Sequence, residues 1–330
     1  MADLRLSGLI GTNPLGLFAA LGAVDVAYRS GAAVRLRWTE DIEPEAVLDG
    51  VLDVDTLVDL IDGDRAAWLE SPVLAWGPAG PPLVDTKPSP SELRAWTAAA
   101  LASGDRCHAD LLGALVAEGA VAGKGEAKPS HFHFTAGQQR FLFMVRELAS
   151  AVAIQDLRAA LVGPWPRDSD LPVLGWEAGG GRGYALGAID PSSEKRRGTP
   201  GADWLAFLGL SYFPVVSIRG RLLTTGCAPA WKQGGWFRWP LWTGFLAPDT
   251  IRSVLSDESL WSMGEQLLRL RGVARLMQSP IRRTDQGGYG SFGAATEMLP
   301  DLPDRERGSG SRRRQPTRTP SRGTGAGRRS

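Results

Sequence analysis

Three histidines and two cysteines in 330 residues leave little material for metal or thiol chemistry. Cys107 and Cys227 stand far apart, with no partner at metal-ligand spacing. That rules out a zinc knuckle, a CxxC pair or a disulfide framework and reads as two reduced thiols of a cytosolic protein. No GxSxG, Walker, HD or DExD/H sequence occurs. Ser192, Ser193, Thr224 and Thr225 do not read as nucleophiles, and His108 beside Cys107 lies in a helical context. Long apolar runs are also missing. The stretch 15–27 is broken by glycines, contains Asp25 and runs into Tyr28 and Arg29, too short to span a bilayer. Asp3 and Arg5 make a poor start for a signal peptide. A soluble, cytoplasmic chain with no membrane partner is expected.

Net charge is small as well, at +1, but it is unevenly placed. Seven arginines and no acid fall in residues 308–330, so the remaining 307 residues carry −6. This Gly/Ser/Thr/Pro-rich tail cannot bury a core and is expected to be disordered. It is either an electrostatic arm for nucleic acid or a solvated tail.

The pattern that is present predicts an α+β protein. A helical N-terminal lobe (1–125) opens β-α-β, with Asn13 as N-cap, Pro14 at the first helical position, and Val34, Leu36 and Trp38 alternating on a strand. Residues 43–70 read as helical. Residues 77–90, with five prolines, read as a loop. Helices follow at 91–102 and 108–118, and a polar break at 123–129 marks the junction of lobes. The second lobe (126–300) opens on a helix over 136–161, with a Thr135/Gln138 capping box. It then turns to β: strands at 173–176 and 184–189, a short helix at 203–209, a hairpin of 213–218 with 222–225 about Arg219-Gly220-Arg221, and a helix at 249–270. The basic tail occupies 301–330. No 20–50-residue repeat is present, which excludes a solenoid.

Candidate chemistry concentrates between Trp176 and Trp242. Trp204, Trp231, Trp236, Trp239 and Trp242 occur there among basic residues. Rings interleaved with cations hold single-stranded nucleic acid, whereas most tryptophans pack as core. The three-residue recurrence of Trp236, Trp239 and Trp242 around Pro240 fits neither a clean strand nor a long helix. The expected nucleic-acid contacts are Arg182, Lys195, Arg196, Arg197, Arg219, Arg221, Lys232 and Arg238, with Trp231 for stacking. The glycine run 179–183 lacks phosphate-loop order and reads as a hairpin tip. Asp190 reads as a turn residue and Asp203 as a cap of the helix beside it; with Glu194 they are the carboxylates nearest this stretch. His131 and His133 alternate on an expected strand, so both rings face one side. They are either a metal pair or a half-exposed strand edge.

Two groups of residues resemble a known family. The start, Asn13-Pro14-Leu15-Gly16-Leu17-Phe18-Ala19-Ala20-Leu21-Gly22, resembles the opening of several subunits of type I-G (formerly I-U) CRISPR effector modules. Asp190-Pro191-Ser192, Gly201-Ala202-Asp203-Trp204-Leu205-Ala206-Phe207-Leu208-Gly209-Leu210, Phe213-Pro214, Thr224-Thr225-Gly226 and Trp239-Pro240-Leu241-Trp242 resemble small proteins found beside that system's helicase-nuclease. Gln286 to Phe292 is similar. The resemblance implies a non-catalytic, nucleic-acid-associated subunit or accessory of an antiviral complex, with other effector subunits and a guide RNA or target DNA as partners. Catalytic residues, metal and cofactor would all be absent from this chain. The alternatives are a metal-dependent hydrolase built on His131 and His133, and a protein-interaction scaffold without nucleic acid contact.

Overall fold

The computed structural model describes residues 3–135, 139–178, 197–228, 235–283 and 289–298. Its elements are β1 (Leu4–Ile10), α1 (Pro14–Arg29), β2 (Arg35–Trp38), β3 (Glu45–Asp49), α2 (Val54–Trp68), α3 (Pro72–Ala75), α4 (Pro90–Ala102) and α5 (Arg106–Leu115). A hairpin, β4 (Val116–Val121) with β5 (Ala127–Pro129), leads to α6 (Phe141–Ala151), α7 (Ile154–Val162) and α8 (Pro200–Gly209). The chain ends in β6 (Val215–Ile218), β7 (Arg221–Thr224), β8 (Gly235–Trp242), α9 (Pro248–Leu255), α10 (Glu265–Leu270), β9 (Val273–Arg283), β10 (Gly290–Phe292) and β11 (Thr296–Glu297). Short 3-10 turns lie at Leu210–Tyr212 and Glu258–Ser262. The class is α+β.

Asn13 and Pro14 begin the central helix as expected. Asn13 is extended, and its Oδ1 accepts the Leu15 N–H at 3.2 Å. Residues Pro14 through Ala27 of α1 are all buried, and so is the whole of α8. Helices apolar all round must lie inside. The two pack at their glycines. A Cβ on Gly22 would strike the Leu205 carbonyl, and one on Gly209 the Phe18 carbonyl. Phe18 sits at the centre of an aromatic cluster with Phe132, Trp176, Phe213, Phe237 and Phe292.

One sheet has the order β1-β3-β2, all antiparallel. In the other, β9 is flanked by β8 on one edge and by β10 and β11 on the other. The sheets are tied by a bridge between Leu36 and Leu246 and by the Trp242 indole N–H, which donates to the Leu36 carbonyl at 2.7 Å. One buried cluster runs from Leu6 to Phe292, on both sides of the junction expected at 123–129. That stretch holds the turn of the β4–β5 hairpin. Among the described residues no helix is long and apolar enough to cross a membrane.

Several expectations are corrected. The helix expected over 43–70 is divided: Ala46, Val47 and Leu48 form the middle strand β3. Gly50, at φ 96°, turns the chain, and Asp53 caps α2 by accepting the Thr56 N–H at 2.8 Å. A short apolar run buried on both faces carries no helical or strand period to tell the two apart. The helix expected over 136–161 breaks at Val152 and Ala153, where Asp156 accepts the Ala153 N–H at 2.9 Å and starts a second helix. Gln138 of the expected capping box lies outside the described residues, and α6 begins behind Arg140, which makes no side-chain cap bond. Residues 173–176 are irregular, and the segment 249–270 is two helices joined by a 3-10 turn. The strand expected at 184–189 and the tail 301–330 lie outside the described residues.

Candidate nucleic-acid interface

The Trp236–Trp242 stretch is a strand, contrary to its three-residue rhythm. In β8 the side chains alternate: Phe237 and Trp239 go into the core, while Trp236 and Arg238 go to the outer face and are half-buried. A register shift between Leu241 and Trp242 returns Trp242 to the buried side. Trp204, Trp239 and Trp242 are therefore core. The Trp239 indole N–H donates to the Gly11 carbonyl at 2.8 Å. Only Trp236 of this set faces outward, and Trp231 lies outside the described residues.

Arg238 lies over Trp236, with its guanidinium carbon 3.8 Å from the ring centroid and 5.9 Å from that of Trp261. Its Nε donates to Gln278 Oε1 at 2.7 Å, and Gln278 is its cross-strand neighbour on β9. Burial lowers the Arg238 pKa, with Glu258 opposing. Alternation along β9 puts Pro280 opposite Trp236 and exposes Arg282 opposite Ser291. The outer face of this sheet thus carries a stacked Trp–Arg pair, an amide and a further arginine. The composition around Trp236 and Arg238 pointed to this face. Gln278, Arg282 and Trp261 were not legible, because β9 and the 3-10 turn meet β8 only in the fold.

Arg219 and Arg221 stand at the exposed tip of the β6–β7 hairpin. Arg219 and Gly220 take φ of 51° and 74°, the left-handed pair that closes a two-residue turn. Lys128 Nζ reaches the Gly220 carbonyl at 3.4 Å, adding a cation that sequence reasoning missed. The hairpin springs from the rim of the sheet, since the Arg238 N–H donates to the Gly226 carbonyl at 2.8 Å. Arg197 is exposed elsewhere, its Nε 3.6 Å from Asp170 Oδ1. The expected contacts therefore fall in separate places: Arg219 and Arg221 at a tip, Arg238 on a face, Arg197 beside Asp170. Arg182, Lys195, Arg196, Trp231 and Lys232 lie outside the described residues, as do Asp190, Glu194, Ser192 and Ser193.

The histidines are neither a strand pair nor half-exposed. His131 and His133 occupy irregular backbone and are buried. His131 Nδ1 is 2.8 Å from Thr224 Oγ1, whereas His133 Nε2 is 2.7 Å from Asp85 Oδ1 and 3.2 Å from Thr135 Oγ1. Their carbonyls both accept from Arg283, at 2.8 and 3.0 Å. The rings are thus held by different partners. Burial, aided by the charge of Arg283, pushes His131 down to about 4. Burial also lowers His133, with the hydrogen bond and charge of Asp85 opposing. Burial pushes the Asp85 carboxyl up, but the His133 hydrogen bond, Lys87 and the Thr86 N–H outweigh it and hold it down to about 2. Thr224 does have a base beside it in space, unlike its sequence neighbourhood, but both groups are sealed from solvent.

Asp203 is no helix cap. It is fully buried one turn into α8, where its Oδ1 accepts the Leu174 N–H at 3.1 Å. Burial pushes its pKa up to about 7. Among the described residues, the one group of three potential metal ligands within reach of each other is Asp105, Cys107 and His108. Asp105 is occupied as the cap of α5, accepting the Cys107 N–H at 3.0 Å. His108 Nδ1 is 2.9 Å from Ser103 Oγ, and burial raises the Cys107 thiol. This is a helix cap.

No protein-family model matches the chain, and no curated protein matches it.

Proposed function

We propose that the chain is a non-catalytic, nucleic-acid-associated subunit of a CRISPR-type antiviral complex. The observation that carries this reading is the Trp236–Arg238 stack on the outer face of the β8–β9 sheet, with Arg282 on the same face. An aromatic ring beside cations on an open sheet takes unstacked bases and their phosphates without demanding sequence. The exposed arginine tip of the β6–β7 hairpin extends the basic surface from the sheet's rim. Its partners would be other effector subunits and a guide RNA or target DNA, in the cytoplasm. The two longest segments that carry the family resemblance become α1 and α8, the helices packed against each other at the core.

Fluorescence anisotropy with a labelled single-stranded RNA tests the binding. With Arg219, Arg221 and Arg282 each meeting a phosphate, the slope of log K against log salt is about −2, a loss of roughly 20-fold between 50 and 200 mM. A flat salt response refutes the phosphate contacts. A tagged chain purified from its native cells should bring down short, uniform RNA with further subunits; an RNA-free monomer refutes the assignment to an effector.

A further inference from the structure

A cleft of about 360 Å3 opens between α5, the Leu210–Tyr212 turn and α9, on elements separate from the sheet face. It exists because the α5 wall is small at Ala109 and Gly113; a Cβ built at Gly113 meets nothing within 4 Å. A volume of this size is at the low end of small-molecule sites.

The hydrogen-bonding groups of the cleft are unevenly satisfied. Some are donors. Arg252 lies over the Tyr212 ring, its guanidinium carbon 4.2 Å from the centroid, and its Nη1 donates to the Ser211 carbonyl at 2.6 Å. Its Nη2 finds only distant carboxylates, Asp25 Oδ1 at 3.5 Å and Asp110 Oδ2 at 3.6 Å. Arg106 Nε is likewise 3.3 Å from Asp110 Oδ2. These distances exceed the about 2.7–2.9 Å typical of a charge-assisted hydrogen bond. Among the described residues, the buried hydroxyls of Ser211 and Tyr212 have no hydrogen-bond partner. A buried polar group left unmade costs free energy and calls for an explanation. The cleft also carries acceptors, set among these donors. Ser253 and Ser256 give their hydroxyl hydrogens to the carbonyls of Asp249 and Arg252, at 3.0 and 2.7 Å, which leaves lone pairs. Asp110 is an acceptor only.

A ligand that satisfies both kinds of group carries an oxyanion and hydroxyl donors. We propose that this cleft binds a small phosphorylated polyol of the nucleotide or sugar-phosphate class. The phosphate meets Arg252 and Arg106, and the hydroxyls meet Asp110 and Ser256.

Isothermal titration calorimetry of the full chain with uridine 5′-monophosphate tests this, with inorganic phosphate as the second probe. The expected result is a Kd below about 1 mM for the nucleotide and at least tenfold weaker binding of inorganic phosphate. Gly113→Leu projects into the cleft from a position where a Cβ meets nothing within 4 Å and should abolish binding with the thermal midpoint retained. Arg106→Ala, at an exposed side chain, should weaken it several-fold. Absence of nucleotide binding, equal affinity for inorganic phosphate, or unchanged affinity in a folded Gly113→Leu chain overturns the proposal. Competition decides the source of the phosphate. Displacement by a 5′-phosphorylated but not a 5′-hydroxyl oligonucleotide assigns it to a strand end, and no displacement by either assigns it to a free small molecule.

Discussion

Asp203→Asn should make the protein more stable, and increasingly so as pH rises. The Asp203 carboxyl is fully buried; among the described residues its Oδ2 is unpartnered and its Oδ1 accepts from the Leu174 N–H. Burial favours the neutral acid and raises its pKa from 3.8 to about 7. The folded state therefore keeps a proton that the unfolded chain releases above its lower pKa, and stability falls from there until the folded pKa is passed. Linkage gives a cost of about 2 kcal/mol at pH 5 and about 4 kcal/mol at pH 8. Asparagine is uncharged throughout and retains an acceptor for Leu174. Urea unfolding of both chains at the two pH values isolates this one group, because every other titration is common to both. The advantage of the variant should widen by about 2–3 kcal/mol from pH 5 to pH 8. A gap that stays flat with pH refutes the assignment of a neutral, buried acid.

Three further outcomes follow from the packing and the surface. Gly209→Ala drives a methyl into the Phe18 carbonyl of α1 and should destabilise by about 3 kcal/mol or more, read as a fall in the denaturant midpoint. Trp239→Phe keeps the ring in the core but leaves the Gly11 carbonyl without its donor, and should cost about 1–3 kcal/mol in the same assay. Replacing Arg219 and Arg221 by glutamine, at exposed positions, should leave the thermal midpoint in place and make the salt slope of RNA binding shallower by about 1.4.

What was legible in the sequence is what local chemistry decides. Asn13-Pro14 starts α1 because one side chain can satisfy one amide and one ring needs none. Gly220 beside Arg219 closes a hairpin because the turn needs two left-handed residues. The misreadings have non-local causes. Whether 45–49 is strand or helix is settled by β1 and β2 on either side. Whether Trp236 or Trp239 faces out is settled by β9, some forty residues on. His131 and His133 look like a pair in the chain, yet Thr224, Asp85 and Arg283 separate their roles. The cleft beneath α9 has no sequence signature, since Arg106, Tyr212 and Arg252 meet only once the helices pack.

The same distinction bears on the resemblance to CRISPR subunits. Its most recognisable residues, Phe18 and Gly22 in α1 with Leu205 and Gly209 in α8, are those whose backbones touch. A glycine there is demanded by an approach too close for any Cβ, and Phe18 by the five aromatic rings around it. A resemblance borne by such residues is a statement about how two helices pack. The binding proposed above lies elsewhere, on the sheet face of Trp236 and Arg238 and in the cleft of Arg252. Substitutions at Gly22 or Gly209 should therefore remove the fold and binding together, whereas those at Arg282 or Gly113 should remove one binding property and leave the fold standing.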